Sequence, residues 1–158
     1  MKLLQKLQIK NSSRIRVRNA PTEILQTLEK EGWKPSQDVP NADGLLVFCI
    51  KKAEIGNISN DIIKALSDQD LCWIGYPKRN GKVATDITRD EGWQVLADLG
   101  WLPVRLVSLN DNWSALRFKP RSEIKSLKRG TDYPGIDRHT KTVELPEGLR
   151  RTLAEQSL

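Results

Sequence analysis

Five segments of the chain have the hydrophobic pattern of β-strands, and polar or turn-forming stretches lie between them. Strict alternation of polar and apolar residues marks the first and last segments, which is typical of strands with one covered face. The second segment is apolar at every position, which predicts a central strand covered on both faces. The predicted strands span residues 14–18, 45–50, 71–76, 102–109 and 113–118.

Two helical patterns lie between the first three strands. Pro21 suits the first turn of a helix that ends at Gly32. The apolar face of this helix consists of Ile24, Leu25 and Leu28. Asn57 or Ser59 is predicted to cap a second helix. The apolar face of the second helix consists of Ile62, Ile63 and Leu66.

A third helix is predicted after the third strand. Thr88 and Glu91 have the spacing of a capping box, in which the two residues satisfy free backbone donors reciprocally. Trp93 and Leu96 follow at helical spacing, and Gly100 is the predicted C-terminal stop. The pattern therefore predicts a helix that begins at Thr88.

This order of strands and helices predicts an α/β fold: one three-layer domain with a mainly parallel sheet and helices on both faces. Turn-forming residues at 110–112 predict a β-hairpin from the last two strands, which adds an antiparallel strand at one edge. The domain is predicted to span residues 1–119. Residues 120–158 are predicted to form a basic, partly extended tail with a short helix at 145–153.

The positive charge of the chain is concentrated near its N-terminus. The formal net charge is +6 over 158 residues, and residues 1–20 contain six basic side chains and no acidic one. The remaining sequence is balanced, whereas a broad nucleic-acid-binding face would need basic clusters elsewhere as well. The six basic residues are Lys2, Lys6, Lys10, Arg14, Arg16 and Arg18.

The sequence predicts a cytoplasmic protein that does not enter a membrane. No apolar stretch approaches the roughly 18–20 residues that span a bilayer. The N-terminus lacks the apolar core of a secretory signal. Cys49 and Cys72 each lie within an apolar, strand-like run, which is typical of buried thiols in a reducing compartment.

Three of the predicted strands end in basic residues or have them just beyond the strand end: Arg18, Lys51–Lys52 and Lys78–Arg79. Ligands of open α/β sheets bind at the carboxyl ends of strands, beside helix N-termini that favour anions. The sequence therefore predicts an anion site at this edge. Its candidate ligand-binding residues are Tyr76, Lys78, Arg79, Asp86, Arg89 and Asp111. The alternative is that these basic side chains are solvated and bind no ligand. It stays open because strand ends are exposed, and exposed positions commonly carry lysine and arginine.

These residues match no standard nucleotide or nucleophile motif. Gly81 in the basic turn lacks the spacing of a P-loop, and no GxGxxG pattern occurs. Asp86 and Asp111 are candidates for a catalytic base, with structural ion pairs as the alternative role. His139 is the only histidine and has no nucleophile motif around it, so neither a Ser-His-Asp mechanism nor a histidine-rich metal site is expected. The sequence identifies neither a catalytic set nor a cofactor.

Five tryptophans have two alternative uses: stacking on nucleobases, or packing in the core. Their positions in apolar strands, on helix faces and after helix-ending glycines favour the core. They are Trp33, Trp73, Trp93, Trp101 and Trp113. Arg117 alternates with its apolar neighbours, which predicts that it shares the face of Trp113 and either stacks on that ring or pairs with an acid.

Four spaced motifs resemble a known signature. The sequences YPK at 76–78, DITRD at 86–90, GW at 92–93 and WSALRF at 113–118 are similar to those of an uncharacterised bacterial domain family of small cytoplasmic proteins. The resemblance covers most of residues 3–119. It implies no catalytic role for any residue. The family's characteristic polar and aromatic positions correspond to Tyr76, Lys78, Asp86, Arg89, Asp90, Trp113, Ser114 and Arg117.

A second resemblance concerns the C-terminal tail. Residues 142–153, TVELPEGLRRTL, are similar to the opening of the OmpD-associated bacteriocin-protection family. The chain ends before the helices and basic motif of that family module would follow. The function of that family is therefore not transferred to this chain. The fragment is a candidate contact with the domain or with a second copy of the chain.

The leading hypothesis is a small cytoplasmic α/β domain that binds an anionic small molecule or a protein partner without catalysis. Lys78, Arg79 and Arg89 would offer the positive charge. The alternative is an enzyme that acts on a phosphorylated or carboxylated small molecule and uses Asp86 or Asp111 as its base. Weak nucleic-acid binding through the basic N-terminus is a third hypothesis, ranked below the other two.

Overall fold

A five-stranded sheet forms the centre of the protein in a computed structural model, which describes residues 2–35, 42–59 and 71–121. The strand order across the sheet is β1-β2-β3-β5-β4. The strands are β1 (Ile15–Arg18), β2 (Gly44–Phe48), β3 (Leu71–Pro77), β4 (Trp101–Ser108) and β5 (Trp113–Pro120). The helices are α1 (Leu3–Lys6), α2 (Thr22–Lys30), α3 (Lys52–Ser59) and α4 (Gln94–Asp98).

The sheet is mixed, with a parallel half and an antiparallel half. Strands β1, β2 and β3 are parallel neighbours, and β3 pairs antiparallel with β5. All five residues of β2 are buried, which confirms the prediction of a central strand covered on both faces. The predicted β4–β5 hairpin forms one edge of the sheet. Within that hairpin the antiparallel strand β5 lies inside, and β4 is the outer strand.

Helices cover both faces of the sheet, so the predicted three-layer α/β architecture is confirmed. On one face, which we call the α1/α2 face, buried side chains of both helices pack on Leu46, Phe48 and Trp73. On the other, the α3/α4 face, Ile55 of α3 and Leu96 of α4 pack with residues of β2, β3 and β5. Each face therefore has its own apolar core, and the sheet separates the two.

Helix α1 was not predicted, and it belongs to the core. Leu3, Leu4 and Leu7 are buried on the α1/α2 face. The carboxylate of Glu31 accepts the free backbone N–H groups of Leu3 and Leu4 at 3.0 and 2.9 Å. The indole N–H of Trp73 donates to the Leu7 carbonyl at 2.8 Å. The basic N-terminal segment thus folds onto the sheet.

The predicted start of the second helix is wrong. Helix α3 begins at Lys52, so Asn57 and Ser59 lie within it and do not cap its N-terminus. Two carboxylates accept the backbone N–H groups there: Glu54 bonds to Ile50, and Asp86 bonds to Lys52 at 2.8 Å. The cap from Asp86 comes from a distant part of the sequence, and local spacing does not reveal it.

The predicted start of the third helix is also wrong, because α4 begins at Gln94 instead of Thr88. The Thr88 hydroxyl accepts the N–H of Glu91 at 3.0 Å, as in a capping box, but this closes an isolated turn. Gly92 then has φ +110°, a left-handed conformation that a right-handed helix cannot contain. The Glu91 carboxylate binds Lys52 at 3.1 Å and does not return to Thr88.

All five tryptophans are buried, which confirms their predicted place in the core. Cys49 and Cys72 are buried free thiols, also as predicted. Burial raises the pKa of each thiol to about 12, with Glu54 adding to the effect at Cys49. Neither sulfur is therefore a thiolate near neutral pH.

Several predictions lie outside the described residues: Ile62, Ile63 and Leu66 of the second helix, His139, and the tail beyond Arg121 with its helix at 145–153. The domain boundary at residue 119 stays a prediction. No helix within the described ranges combines the length and the apolar character that a membrane crossing requires.

Candidate functional site

A hollow of about 660 Å³ opens on the α3/α4 face, at the carboxyl end of β3. It lies between the end of the sheet and the connection from β3 to α4, which folds back over that face. Its lining combines three cations, three carboxylates, hydroxyl groups and two aliphatic side chains. The lining residues are Tyr76, Lys78, Arg79, Asn80, Thr85, Asp86, Ile87, Thr88, Arg89, Asp90, Glu91, Leu106 and Ser114.

Strand register supplies the sheet side of the hollow. Tyr76 on β3 lies opposite Ser114 on β5, and Ser114 lies opposite Ser108 on β4. Leu106 is two residues before Ser108, lines the hollow and is 39% exposed. This side of the hollow is therefore partly apolar and carries hydroxyl groups.

Tyr76 is only 5% exposed and packs edge-to-face on Trp93, with ring centroids 5.4 Å apart. Burial raises the pKa of its phenol to about 12, the positive charge of Arg89 lowers it, and Asp90 raises it. The phenol is therefore neutral at physiological pH. It can offer a hydrogen bond but not a phenolate base.

The basic turn, residues 78–82, places two cations at the mouth of the hollow. The turn is fastened to the β4–β5 hairpin, because the Asn112 carbonyl accepts the Lys78 N–H at 2.8 Å and its side-chain oxygen accepts the Lys82 N–H at 3.1 Å. The Lys78 ammonium donates to the Ser108 hydroxyl at 2.6 Å. Within the described residues, no carboxylate lies within ion-pair distance of Lys78 or Arg79.

The wall opposite the sheet is residues 85–91, and side-chain hydrogen bonds hold it in place. The Thr85 hydroxyl donates to the Ile50 carbonyl and accepts the Ile87 N–H at 3.0 Å. Ile87 is buried between the wall and the sheet. The indole N–H of Trp93 donates to the Thr88 carbonyl at 2.8 Å. The wall is therefore tied both to the end of β2 and to the start of α4.

Each acidic side chain of the wall already has a described partner. Asp86 accepts the N–H of Lys52 at the start of α3, and Glu91 pairs with the Lys52 ammonium at 3.1 Å. Asp90 pairs with Arg89 at 3.6 Å, and both side chains are about half exposed or more. Lys78 and Arg79 are consequently the cations of the hollow that have no carboxylate partner among the described residues.

Five of the six predicted binding residues line this one hollow: Tyr76, Lys78, Arg79, Asp86 and Arg89. Asp111 does not. It is an exposed residue of the hairpin turn, on the same edge of the sheet but outside the lining. Lys51 is exposed after the end of β2, and Arg18 ends β1, the edge strand farthest from β4. Neither residue lines the hollow. That the clustered residues bind a ligand stays a prediction.

Sequence reasoning missed the residues that strand pairing brings into the hollow. Ser114 and Leu106 join it only because β5 is inserted next to β3, with β4 outside it. The hairpin was predicted, but the orientation in which it would join the sheet carried no local signal. Within residues 2–35, 42–59 and 71–121, no three His, Cys, Asp or Glu side chains are grouped as metal ligands would be.

No family model and no curated protein matches the chain. Among solved structures, the fold is similar to that of a protein in the NADB-Rossmann superfamily from Streptococcus agalactiae, with a TM-score of 0.46 and 13% identity over 76% of this chain and 70% of the other. It is also similar to LepI, solved in complex with SAM, with a TM-score of 0.42 and 12% identity. That alignment covers 75% of this chain and 39% of LepI.

Proposed function

We propose that the protein is a non-catalytic binding domain for an anionic small molecule, which occupies the hollow at the carboxyl end of β3. A phosphate or carboxylate group of the ligand contacts Lys78 and Arg79 at the mouth. The less polar part of the ligand covers Leu106 and reaches Tyr76.

The charge distribution is the observation that carries this proposal. The wall carboxylates have described partners in Lys52 and Arg89, whereas Lys78 and Arg79 have no carboxylate partner among the described residues. An anion at the mouth would therefore meet two cations without displacing an internal ion pair. Charge-assisted hydrogen bonds of this kind are the stronger ones in proteins.

The shape and lining of the hollow support a small organic ligand over a bare ion. A volume of about 660 Å³ lies within the range of ligand-binding pockets, roughly 300–1,000 Å³. The exposed Leu106 side chain would leave water when an apolar group covers it. Ser114 and the neutral Tyr76 phenol can orient that group by hydrogen bonding.

The enzyme hypothesis gains no specific support. Asp86 uses one carboxylate oxygen to accept the Lys52 N–H, and Asp111 lies outside the hollow. Asp86 lines the hollow, but its carboxylate also serves as the cap of α3. The nucleic-acid hypothesis has a similar weakness, because the basic N-terminal segment is packed on the sheet through α1 and all five tryptophan rings are buried.

The test is a melting experiment on the full chain with a panel of anions: inorganic phosphate, citrate and adenosine monophosphate, with adenosine as the uncharged counterpart of the last. An occupied site raises the melting temperature, because the ligand binds the folded state alone. Adenosine should give a smaller rise than its monophosphate. Lys78→Gln should weaken the binding of an effective anion about ten-fold or more.

Lys82→Gln is the matched control. It removes the same charge from the same turn, but its side chain does not line the hollow, and the backbone bond to Asn112 is kept. The proposal predicts wild-type binding in this variant. A flat response of the wild type to every anion would overturn the proposal, and so would equal weakening by the two substitutions.

A further inference from the structure

Two arginines lie directly opposite each other on the face of the sheet that does not hold the hollow. Arg105 on β4 pairs with Arg117 on β5. Arg117 alternates along β5 with Leu116 and Phe118 of the α3/α4 core, so its side chain lies on the α1/α2 face. A β-bulge between Pro103 and Arg105 sets this register, and bulges commonly redirect a side chain next to a binding site.

The Arg117 guanidinium is only partly satisfied. One terminal nitrogen, Nη1, donates to the side-chain oxygen of Gln8, and Nε is buried without a hydrogen-bond acceptor. Among residues 2–35, 42–59 and 71–121, no carboxylate lies within ion-pair distance of Arg105 or Arg117. Buried donors without partners are rare in native proteins, and an unseen ion or water is a usual explanation.

The residue that contacts Arg117 is itself in an unusual conformation. Gln8 follows helix α1 with φ +59°, a left-handed position that glycine or asparagine normally occupies at a helix C-terminus. The strain of this backbone is offset by hydrogen bonds to the helix, since the N–H of Gln8 donates to Gln5 and that of Ile9 donates to Leu4. The side-chain amide of Gln8 is in this way held against the Arg117 guanidinium group.

Keeping two like charges opposite each other has a cost. Like charges directly across a strand pair destabilise a sheet. Burial lowers the pKa of Arg117, and the neighbouring Arg105 charge lowers it further. An anion between the two guanidinium groups would remove this repulsion.

We infer that Arg105 and Arg117 form a second oxyanion site, which takes a phosphate or carboxylate group between the guanidinium groups with Gln8 beside it. Planar guanidinium groups match both kinds of group through paired N–H donors. This site is separate from the hollow and does not depend on the proposed function there.

The test is an NMR titration of the isotope-labelled full chain with inorganic phosphate and, separately, with acetate. Ionic strength is held constant with chloride, since general screening would otherwise contribute. The backbone amides of Gln8, Arg105 and Arg117 and the Arg117 Nε–H report on the site. We expect saturable shifts of these signals, and the anion that produces them identifies the group that the site prefers.

Variants separate this site from the hollow. Arg105→Met removes an exposed side chain and leaves the Gln8–Arg117 contact in place. The affinity for the anion should fall about ten-fold or more. The double variant Lys78→Gln with Arg79→Gln should keep wild-type affinity at the arginine pair. Absence of a saturable shift with both anions would overturn the inference. Unchanged affinity in Arg105→Met would do the same.

Discussion

The carboxylate of Asp86 accepts the backbone N–H of Lys52 at 2.8 Å, so a residue of the hollow's wall caps helix α3, which follows β2. Replacing Asp86 by alanine should lower the free energy of unfolding by about 1 kcal/mol, the usual value of a helix N-cap. Asp86→Asn keeps the oxygen acceptor and should cost distinctly less. Urea unfolding followed by circular dichroism measures both, and equal losses would contradict the capping role.

Two glycines provide substitutions of opposite sign. Gly92 has φ +110°, and a Cβ there would meet only ordinary contacts, 3.4 Å or more from its neighbours. Gly92→Ala should therefore lose stability through backbone strain alone, by about 1–2 kcal/mol. Gly56 lies within α3 with nothing within 4 Å of its added Cβ. Gly56→Ala should gain roughly 0.5–1 kcal/mol. Denaturant midpoints of the two variants should move in opposite directions from wild type.

The N-terminal segment should behave as part of the core. Leu7 is fully buried next to the sheet, and Leu7→Ala should cost about 2–5 kcal/mol. Lys10→Ala, an exposed change three residues further on, should stay within roughly 0.5 kcal/mol of wild type. If thermal and chemical unfolding give both variants wild-type stability, the segment does not pack as described.

This packing also changes how nucleic-acid binding should be tested. Removing residues 2–10 would uncover Trp73, so loss of binding on such a truncation would report unfolding. Neutral substitutions of the exposed Lys2 and Lys10 are the appropriate variants.

Alkaline pH should destabilise the protein through Tyr76. Its pKa rises from the ordinary value of 10.0 to about 12 on burial, so the folded state favours the neutral phenol. The resulting stability is fully present below pH 10 and is lost as the pH rises from 10 towards 12, at about 1.4 kcal/mol per pH unit. Buried Cys49 and Cys72 add a similar loss that begins near pH 9.

The variant Tyr76→Phe isolates the tyrosine contribution. It should flatten the decline between pH 10 and 12 relative to wild type, while the cysteine contribution remains. Urea unfolding at a series of alkaline pH values makes the comparison. Parallel curves for the two proteins would show that Tyr76 does not titrate as its burial requires.

Arg105→Met should stabilise the protein in a buffer that contains only chloride. Removing one of two like charges from directly opposite positions relieves a repulsion of about 0.5 kcal/mol. Lys82→Met, which removes a charge from an exposed turn, should leave the melting temperature almost unchanged. A lower melting temperature in Arg105→Met would show that the charge on residue 105 is compensated by another group.

The strands were predictable because their pattern depends on burial. Residues 44–48 are apolar at every position and are buried on both faces, so pattern and environment agree. Helix α1 gave no such signal, since four residues are too few for helical periodicity. The burial of Leu7 depends on a tertiary cluster that includes Trp73, which local sequence does not reveal. The capping box at Thr88 was misleading because the φ of Gly92 ends the turn before a helix can form.

The site was predictable to the extent that topology determines it. Lys78 and Arg79 follow a parallel strand, so their edge of the sheet follows from the strand pattern. The partners of the acids were not visible: Asp86 meets Lys52 across 34 residues of sequence. Ser114 required knowledge of the strand order, which depends on packing of the whole sheet.

The bulge before Arg105 has a consequence for the outer boundary of the described sheet. Strand β4 has one side without a neighbour in that sheet, and such sides can recruit strands from other molecules into aggregates. Pro103 lacks an amide hydrogen, the bulge breaks the spacing of the ladder, and the exposed Arg105 adds charge. Each of these features opposes the pairing of a strand from another molecule along the outer side of β4.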